Sequence, residues 1–245
     1  MKASPADQKT LLTLQGIDTG VQRATYKAGR LPEEARITEL QRELETVRVS
    51  HIEKVGVRED ARTELSRIES DVTVVEARIK RDSDRLQTSS SAKDVEALQS
   101  ELTALQKRQG DLEEIELTVM QRVEDADAAV AESESVRNGL QELLDEVVAK
   151  RDAQLVELVA ERTRLEADRA SVVPGIPADL LALYEQRRSR GGTGAALFRA
   201  GTCGACAIAL TGNDLAAVRS AAKDDVVQCP DCSAILVRTE ESGLS

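Results

Sequence analysis

The chain has 245 residues, of which 31% are charged, and it contains one Phe, two Tyr and no Trp. Aromatic rings supply much of the buried area of a compact domain, so this composition argues against an ordinary globular enzyme and is typical of long helices that pack along narrow seams. The net charge is −11, and residues 1–174 hold 26 Lys/Arg against 36 Asp/Glu. Phosphate binding needs clustered cations, which excludes this long acidic part as a nucleic-acid-binding surface.

The N-terminal residues, MKASPADQKTLLTLQG, lack the apolar stretch of a secretory signal. No apolar run in the chain approaches the roughly 20 residues that a membrane-spanning helix needs. We therefore expect a cytoplasmic protein that makes no membrane contact. In that compartment, paired cysteines are more often metal ligands or redox centres than structural disulfides.

An apolar stripe with helical spacing runs through the first 28 residues. Its members are Leu11, Leu14, Ile17, Val21, Ala24 and Ala28. Gly29 and Pro32 follow in the segment KAGRLPEEA. A glycine and a proline so close together predict a kink in the helix near residues 29–32.

A heptad pattern begins after the kink and continues to Leu86. Its positions alternate by three and four residues, and eleven of the fifteen are Leu, Val, Ile or Ala, while alternation by two fits nowhere. The segment from about residue 32 to residue 87 is therefore predicted to be one coiled-coil helix. The fifteen positions are Ile37, Leu40, Leu44, Val47, His51, Lys54, Arg58, Ala61, Leu65, Ile68, Val72, Val75, Ile79, Asp82 and Leu86.

Four consecutive hydroxyl residues at 88–91 interrupt this helix, because their side chains compete for backbone hydrogen bonds. Ser91 followed by Asp94 is typical of the N-terminal cap of a new helix. A second, less strict apolar seam then continues until a Pro-Gly pair ends it. The sequence thus predicts a turn near 88–91 and a second long helix over about 92–172.

Together these elements predict that residues 1–174 form a long, kinked, antiparallel coiled-coil hairpin. If the helices turn near residue 89, facing residues have numbers that sum to about 179, which places the polar break at His51, Lys54 and Arg58 opposite the acidic stretch 121–128. We expect cross-helix ion pairs in this layer. His51 itself is predicted to be a solvated seam residue rather than a metal ligand or a catalytic group.

Residues 175–200 are predicted to form a partly helical, basic connector that contains glycines. No acidic residue occurs from 186 to 213. A mobile basic segment of this kind can neutralise phosphates of DNA or RNA, and the alternative interpretation is a solubilising linker. Its arginines are Arg187, Arg188, Arg190 and Arg199.

All four cysteines of the chain lie in two Cys-x-x-Cys pairs near the C-terminus, Cys203 with Cys206 and Cys229 with Cys232, separated by 22 residues. Each pair can form a tight knuckle, and two knuckles together supply four thiolates at tetrahedral corners, which suits one structural Zn²⁺. Such a closed set leaves no open coordination position for catalysis. A redox dithiol would explain only one pair.

Residues 201–245 are predicted to form a zinc ribbon. The segments AIAL, VVQC and SAILVR are predicted strands, a short helix at 213–219 fills the interval between the cysteine pairs, and Phe198 belongs to the core. Because this segment has so few large apolar residues, it cannot fold alone. The bound metal should therefore contribute to its folding free energy. Rubredoxin-like iron stays an alternative, although such sites usually have Gly after each knuckle, where this chain has Ala207 and Ser233.

Three segments accompany the predicted hairpin: SAKDVEALQSEL after its turn, then GTCGAC and VVQCPDCSAILVR near the C-terminus. With them, essentially the whole chain resembles the bacterial four-cysteine zinc-ribbon family with an N-terminal coiled coil. The resemblance implies that Cys203, Cys206, Cys229 and Cys232 are the zinc ligands. It also implies nucleic acid or a transcription-related protein as the partner. Some relatives are described as binding nucleic acid or as partners of transcription and flagellar regulators, including the sigma factor of the sigma-54 class.

The sequence therefore predicts a mainly α protein, a kinked antiparallel coiled-coil hairpin followed by a small zinc ribbon with short strands, that acts as a non-enzymatic adaptor. Its ribbon and basic segment would bind DNA, RNA or a transcription-associated complex. The alternative is a protein–protein scaffold or chaperone-like adaptor that uses the hairpin and makes no nucleic-acid contact. A coiled-coil exterior offers no concave pocket in which carboxylate pKa values could shift, so we expect neither catalysis nor a small-molecule substrate.

Overall fold

The computed structural model describes residues 1–243 and shows the predicted mainly α fold, a long helical hairpin with a small strand-containing C-terminal region. The α-helices are α1 (Pro5–Ala28), α2 (Glu33–Thr88), α3 (Ala92–Val172), α4 (Ala178–Gly191) and α5 (Gly212–Ser220). The strands are β1 (Ala195–Arg199), β2 (Thr202–Cys203), β3 (Val227–Gln228) and β4 (Ile235–Arg238). The last two residues of the predicted ribbon, 244–245, lie outside the described residues. Within residues 1–243, no helix is both long enough and apolar enough to cross a membrane.

The ends of the long helices follow the signals in the sequence. The predicted kink is a complete break of the helix between α1 and α2, and the predicted turn separates α2 from α3. Ser91 caps α3, since its Oγ accepts a hydrogen bond from the N–H of Asp94 at 3.4 Å. The hydroxyl thereby satisfies one of the N–H groups that have no partner at the start of a helix.

The chain forms two compact units. The hairpin unit is Glu33–Ala149, and the ribbon unit joins Met1–Pro32 to the chain from Lys150 onward. Helix α1 therefore belongs with the ribbon, whereas the sequence had assigned residues 1–174 to the hairpin. The physical reason is the apolar face of α1, which packs against the sheet.

In the hairpin unit, α2 packs antiparallel against α3. Arg78 forms an ion pair with Glu101, and Arg62 forms one with Asp127 at 2.9 Å, so residue numbers on α3 rise as those on α2 fall. Of the cross-helix ion pairs expected in the polar layer, the described residues form one, in which Arg58 Nε lies 3.9 Å from Asp127 Oδ1. All fifteen predicted heptad positions of α2 are buried or half-buried, which confirms the seam.

The polar layer of the hairpin has a different register from the predicted one. His51 Nδ1 lies 2.8 Å from Ser133 Oγ, whereas counting from the turn placed residue 128 opposite His51. The count was wrong because it ignored the seam of α3, in which Val130 and Ser133 are buried while Ala128 is exposed. The Ser133 hydroxyl donates to the Val130 carbonyl oxygen at 2.8 Å, so His51 supplies the proton of the shared bond.

The ribbon unit contains a four-stranded sheet in the order β2-β1-β4-β3. The central strands β1 and β4 are parallel, and each has an antiparallel outer partner. The sheet begins at Ala195, so the predicted boundary at residue 201 needs correction: the predicted connector 175–200 is helix α4 followed by a central strand. The predicted strand AIAL is also wrong. Its residues make only an isolated bridge between Ala209 and Thr202, because their backbone closes the first cysteine knuckle.

Successive side chains of the central strands point to opposite faces of the sheet and enter two apolar clusters. On one face, α1 and α4 cover the sheet. The buried residues of this cluster are Ala3, Leu11, Leu14, Ile176, Leu180, Tyr184, Ala195, Ile235 and Val237. On the other face, Phe198 and Leu236 pack with Val218, Cys203 and Cys229. Phe198 is therefore a core residue, and the ribbon buries its apolar surface together with α1 and α4 rather than alone.

Gly194 lies where the backbone passes closest to Tyr184. A Cβ at this position would lie 2.5 Å from the Tyr184 ring and 2.7 Å from the Tyr184 carbonyl oxygen. Tyr184 is fully buried, so neither group can move without disturbing the core. We expect Gly194→Ala to lower the free energy of unfolding of the ribbon unit by about 2 kcal/mol, measured by denaturant unfolding.

Gly16→Ala is the matched control in the same unit. Gly16 lies inside α1, and a Cβ there would meet no atom within 4 Å. The change should therefore raise the free energy of unfolding by about 0.5–1 kcal/mol, because alanine restricts the unfolded chain more than glycine does. Equal effects of the two substitutions would contradict the close packing assigned to Gly194.

Candidate metal centre

The two Cys-x-x-Cys knuckles have the same backbone geometry. In each, the N–H of the residue after the second cysteine donates to the carbonyl oxygen of the first cysteine at 2.9 Å. The N–H of the first cysteine donates to the carbonyl oxygen five residues later, at 3.0 Å for Cys203 and 2.9 Å for Cys229. These two bonds close each knuckle into a tight loop, so the backbone alone fixes where its cysteines lie.

The four sulfur atoms lie within 4.8 Å of one another. The Sγ atoms of Cys203 and Cys232 are 3.7 Å apart, and those of Cys206 and Cys229 are 3.9 Å apart. A tetrahedral site with Zn–S bonds of about 2.3 Å has S–S edges of about 3.8 Å, whereas a disulfide bond is about 2.05 Å long. The arrangement therefore fits a metal ion held by four thiolates.

The four cysteines differ in their surroundings. Cys203 and Cys229 are buried, Cys206 is half-buried and Cys232 is exposed. Burial raises the pKa of the Cys203 thiol, whereas a hydrogen bond from the N–H of Ile208 lowers the pKa of the Cys206 thiol. Because zinc binds thiolates, an N–H directed at a sulfur atom favours the form of the cysteine that holds the metal.

Ala207 and Ser233, which follow the two knuckles, have left-handed backbones with φ of 60° and 62°. A Cβ in this conformation costs roughly 1–2 kcal/mol, and glycine avoids that cost while adding freedom to the unfolded chain. We expect Ala207→Gly and Ser233→Gly each to raise the free energy of unfolding by up to about 1 kcal/mol, without changing zinc stoichiometry. Calorimetric unfolding of the zinc-loaded variants measures this, and a loss of stability in both would contradict the assignment of strain.

The ribbon unit contains a buried polar network that the sequence reasoning missed. Asp18 is 3% exposed. Its Oδ1 accepts a hydrogen bond from Arg169 Nε and its Oδ2 one from the Tyr184 hydroxyl, both at 2.7 Å. Arg188 Nε lies 3.4 Å from the same carboxylate, and Glu185 pairs with both arginines. Burial and the bond to Asp18 raise the pKa of Tyr184. The network joins α1, α3 and α4.

The predicted basic segment is therefore ordered, and its arginines differ in availability. Arg188 is neutralised inside the network, and Arg187 is half-buried. Arg190 and Arg199 are exposed and form no ion pair with any residue in 1–243. The expectation of a mobile connector needs correction because α4 and β1 occupy this stretch.

Arg238 holds the chain between the two knuckles, and the sequence reasoning did not single it out. Its Nη1 donates to the carbonyl oxygens of Val218 at 3.2 Å and Ala221 at 2.7 Å. Its Nη2 donates to those of Ala222 at 2.6 Å and Asp225 at 2.8 Å. The guanidinium group thus satisfies the carbonyls at the end of α5. An arginine at the end of a strand is common, so spacing alone could not have identified this role.

Comparison with known proteins yields two family matches. Residues 14–192 match the CT398-like coiled coil hairpin domain, and residues 202–236 match the C4-type zinc ribbon domain. The chain belongs to the CT398-like coiled-coil hairpin family. The predicted family, a four-cysteine zinc ribbon with an N-terminal coiled coil, is thereby confirmed. The C4-type match and the clustered sulfur atoms together make zinc the cofactor of the site.

The chain is similar to proteins of several bacteria. It is 33% identical over 241 residues to the uncharacterized protein Rv2229c of Mycobacterium tuberculosis, covering 98% of each chain. A protein structure from Mycobacterium smegmatis matches with a TM-score of 0.83 and 37% identity, covering 98% of this chain and 100% of that one. The structure of CT398 from Chlamydia trachomatis matches with a TM-score of 0.61 and 17% identity, covering 96% and 98%, and shows the shared fold.

Proposed function

We propose that the protein is a non-enzymatic cytoplasmic adaptor whose ribbon unit binds nucleic acid. The observation that carries this proposal is the division of charge between the two units. Residues 1–32 and 150–245 hold 17 Lys/Arg against 15 Asp/Glu, a net charge of +2, whereas residues 33–149 hold 16 against 29, a net charge of −13. The negative charge of the hairpin unit repels a polyanion. The ribbon unit does not repel it, because its net charge does not become negative even after one zinc tetrathiolate contributes about −2.

The C-terminal part of the ribbon unit offers exposed cations that no side chain in residues 1–243 neutralises. They are Arg190, Arg199, Arg219 and Lys223. Two of them belong to the predicted basic segment, while Arg188 is no longer a candidate because Glu185 and Asp18 offset its charge. Contacts between such cations and phosphates release counterions, so binding should depend strongly on salt. With so few aromatic rings for base stacking, we expect little sequence preference.

Fluorescence anisotropy of a labelled oligonucleotide of about 20 residues, titrated with the zinc-loaded full chain, tests the proposal. Wild-type affinity should fall steeply as salt rises from about 50 to about 200 mM. The double variant Arg190→Gln/Arg199→Gln should bind about tenfold more weakly, and its salt slope should be smaller by about two.

A matched control removes the same charge from the hairpin unit. Lys107 and Arg108 are exposed on α3 and form no ion pair among the described residues. Lys107→Gln/Arg108→Gln should leave the oligonucleotide affinity within about twofold of wild type. Absence of binding at low salt, or equal weakening by both double variants, would overturn the proposal.

A second candidate is a protein scaffold, favoured by apolar side chains on the surface of the hairpin unit. Val49, Ile52, Val57, Val74 and Leu117 are between 46% and 68% exposed. Together with the net charge of −13, this surface suits a basic amphipathic helix of a partner protein. Crosslinking in the native cell separates the candidates: a protein captured despite nuclease treatment and lost in Ile52→Ser/Val57→Ser favours the scaffold, whereas capture abolished by nuclease favours nucleic acid.

A further inference from the structure

A cavity of about 550 Å³ lies in the ribbon unit, away from the cysteines, where the end of α5, the start of α1 and the end of β4 meet. Three basic residues, Arg219, Lys223 and Arg238, contribute to its lining, and Glu240 is the one carboxylate among the lining residues. Its size is in the range of pockets that hold small ligands. The excess of positive charge indicates an anionic ligand.

Two of the three cations are available to such a ligand. The side chains of Arg219 and Lys223 are exposed and make no hydrogen bond or ion pair with residues 1–243. Within residues 1–243, neither side chain has an ion-pair partner that would offset its charge. An anion that bridges them would gain charge-assisted hydrogen bonds, which are stronger than those between neutral groups.

Arg238 reduces the electrostatic repulsion that an anion would meet at the C-terminal end of α5. Backbone carbonyls at a helix C-terminus carry partial negative charge and repel anions. Here the Arg238 guanidinium group binds the carbonyl oxygens of Val218, Ala221 and Ala222 at 2.6–3.2 Å. The carbonyls are therefore satisfied and their charge is offset, which leaves the field of Arg219 and Lys223 to dominate the cavity.

The walls of the cavity are held in place by contacts between α1 and the loop after α5. Gln8 is 2% exposed, and its Nε2 donates to the carbonyl oxygens of Ala3 at 2.9 Å and Lys223 at 3.3 Å. The N–H of Ala3 donates to the carbonyl oxygen of Asp224 at 2.8 Å. Pro5, two residues after Ala3, lines the cavity. The pocket is thus formed before any ligand arrives, which lowers the entropic cost of binding.

We propose that this cavity, lined by Arg219, Lys223, Arg238 and Thr239, is a binding site for a phosphate group. The Thr239 Oγ1 accepts a hydrogen bond from the N–H of Glu241, so its hydroxyl proton is free to donate to a phosphate oxygen. No aromatic side chain lines the cavity, so the site recognises the phosphate rather than a base. A small phosphate ester and a nucleic-acid backbone both present such a group, and the site does not require the proposed nucleic-acid function.

Amide NMR spectra of the zinc-loaded full chain, titrated separately with inorganic phosphate, AMP and an oligothymidylate, test the site. Saturable shifts should concentrate at residues 219–223 and 238–240. Arg219→Gln/Lys223→Gln should weaken the response at least about tenfold without altering the melting temperature, since both side chains lack structural contacts. Glu240→Gln should tighten binding up to about threefold, because it removes the carboxylate from the lining.

Arg190→Gln is the matched control, because it removes an exposed cation of the same unit outside the cavity. Local shifts with phosphate and AMP identify a small ester as the ligand, and local shifts with the oligothymidylate alone identify a nucleic-acid backbone. Shifts that are absent with all three probes, or unchanged in Arg219→Gln/Lys223→Gln, overturn the phosphate site. Oligothymidylate binding that is lost only in Arg190→Gln/Arg199→Gln would overturn the site while supporting the proposed function.

Discussion

Cys232→Ser is expected to abolish stoichiometric zinc binding and to open the part of the ribbon that lies between and around the knuckles. Cys232 is the exposed ligand, so serine leaves no cavity in the core and the effect reports the metal alone. Structural zinc contributes about 10–16 kcal/mol of apparent binding free energy in zinc-finger peptides at neutral pH. No other interaction described for this ribbon approaches that magnitude.

The loss of structure should be local. Leu210 and Val218 belong to the cluster that contains Cys203 and Cys229, so amide exchange should accelerate around them. The cluster formed by α1, α4 and the central strands contains no cysteine and should keep most of its protection, as should the hairpin unit. Hydrogen exchange read by mass spectrometry resolves these regions.

A chelator provides the control for this prediction. Removing zinc from the wild-type protein should reproduce the exchange pattern of Cys232→Ser, and adding the chelator to Cys232→Ser should change nothing further, because both perturbations act on the same ion. Wild-type protection and full zinc content in Cys232→Ser would contradict the assignment of four thiolate ligands.

Asp18→Ala is expected to lower the free energy of unfolding of the ribbon unit by about 3 kcal/mol. The carboxylate is buried and receives bonds from Arg169 and Tyr184. Its removal leaves the tyrosine with only its 3.2 Å contact to Gln15 Oε1 and weakens the pairing of the two network arginines. Removing one member of a buried pair lowers the free energy of unfolding by more than the intact pair contributes to it, because the remaining buried polar groups lose their partners. Denaturant unfolding of the zinc-loaded protein measures the change.

Two further variants separate the buried network from a general charge effect. Asp18→Asn keeps the size of the side chain and an acceptor oxygen, so it should cost less than Asp18→Ala. Asp168→Ala removes an exposed carboxylate of α3 and should change stability by less than about 0.5 kcal/mol. A cost for Asp168→Ala comparable to that for Asp18→Ala would refute the role of the network.

The features that sequence reasoning predicted well are local or strictly periodic. The heptad spacing from Ile37 to Leu86 places each residue relative to its neighbours, so the buried face of α2 follows without knowledge of its partner. The Cys-x-x-Cys spacing likewise depends on a short loop that closes on itself, as the two equivalent knuckles show. The cap at Ser91 needs only the three residues that follow it.

The features that sequence reasoning missed depend on contacts between distant parts of the chain. Arg188 looked like a free cation because nothing in its own segment reveals Asp18, which lies 170 residues earlier. Asp18 itself carried a usable signal, since it stands four residues after Leu14 on the buried side of α1, where a carboxylate needs a partner. Strand β1 was not predicted for a similar reason, because the strand that pairs with it, β4, begins far along the chain at Ile235.

Native mass spectrometry of the purified chain, followed by alkylation of its thiols, tests whether the four cysteines hold one zinc ion. A closed tetrathiolate site predicts the mass of one bound zinc per chain and four cysteines that become reactive together only when the metal is removed. A metal-free chain whose ribbon remains folded with four reactive thiols would contradict it, as would bound iron in place of zinc.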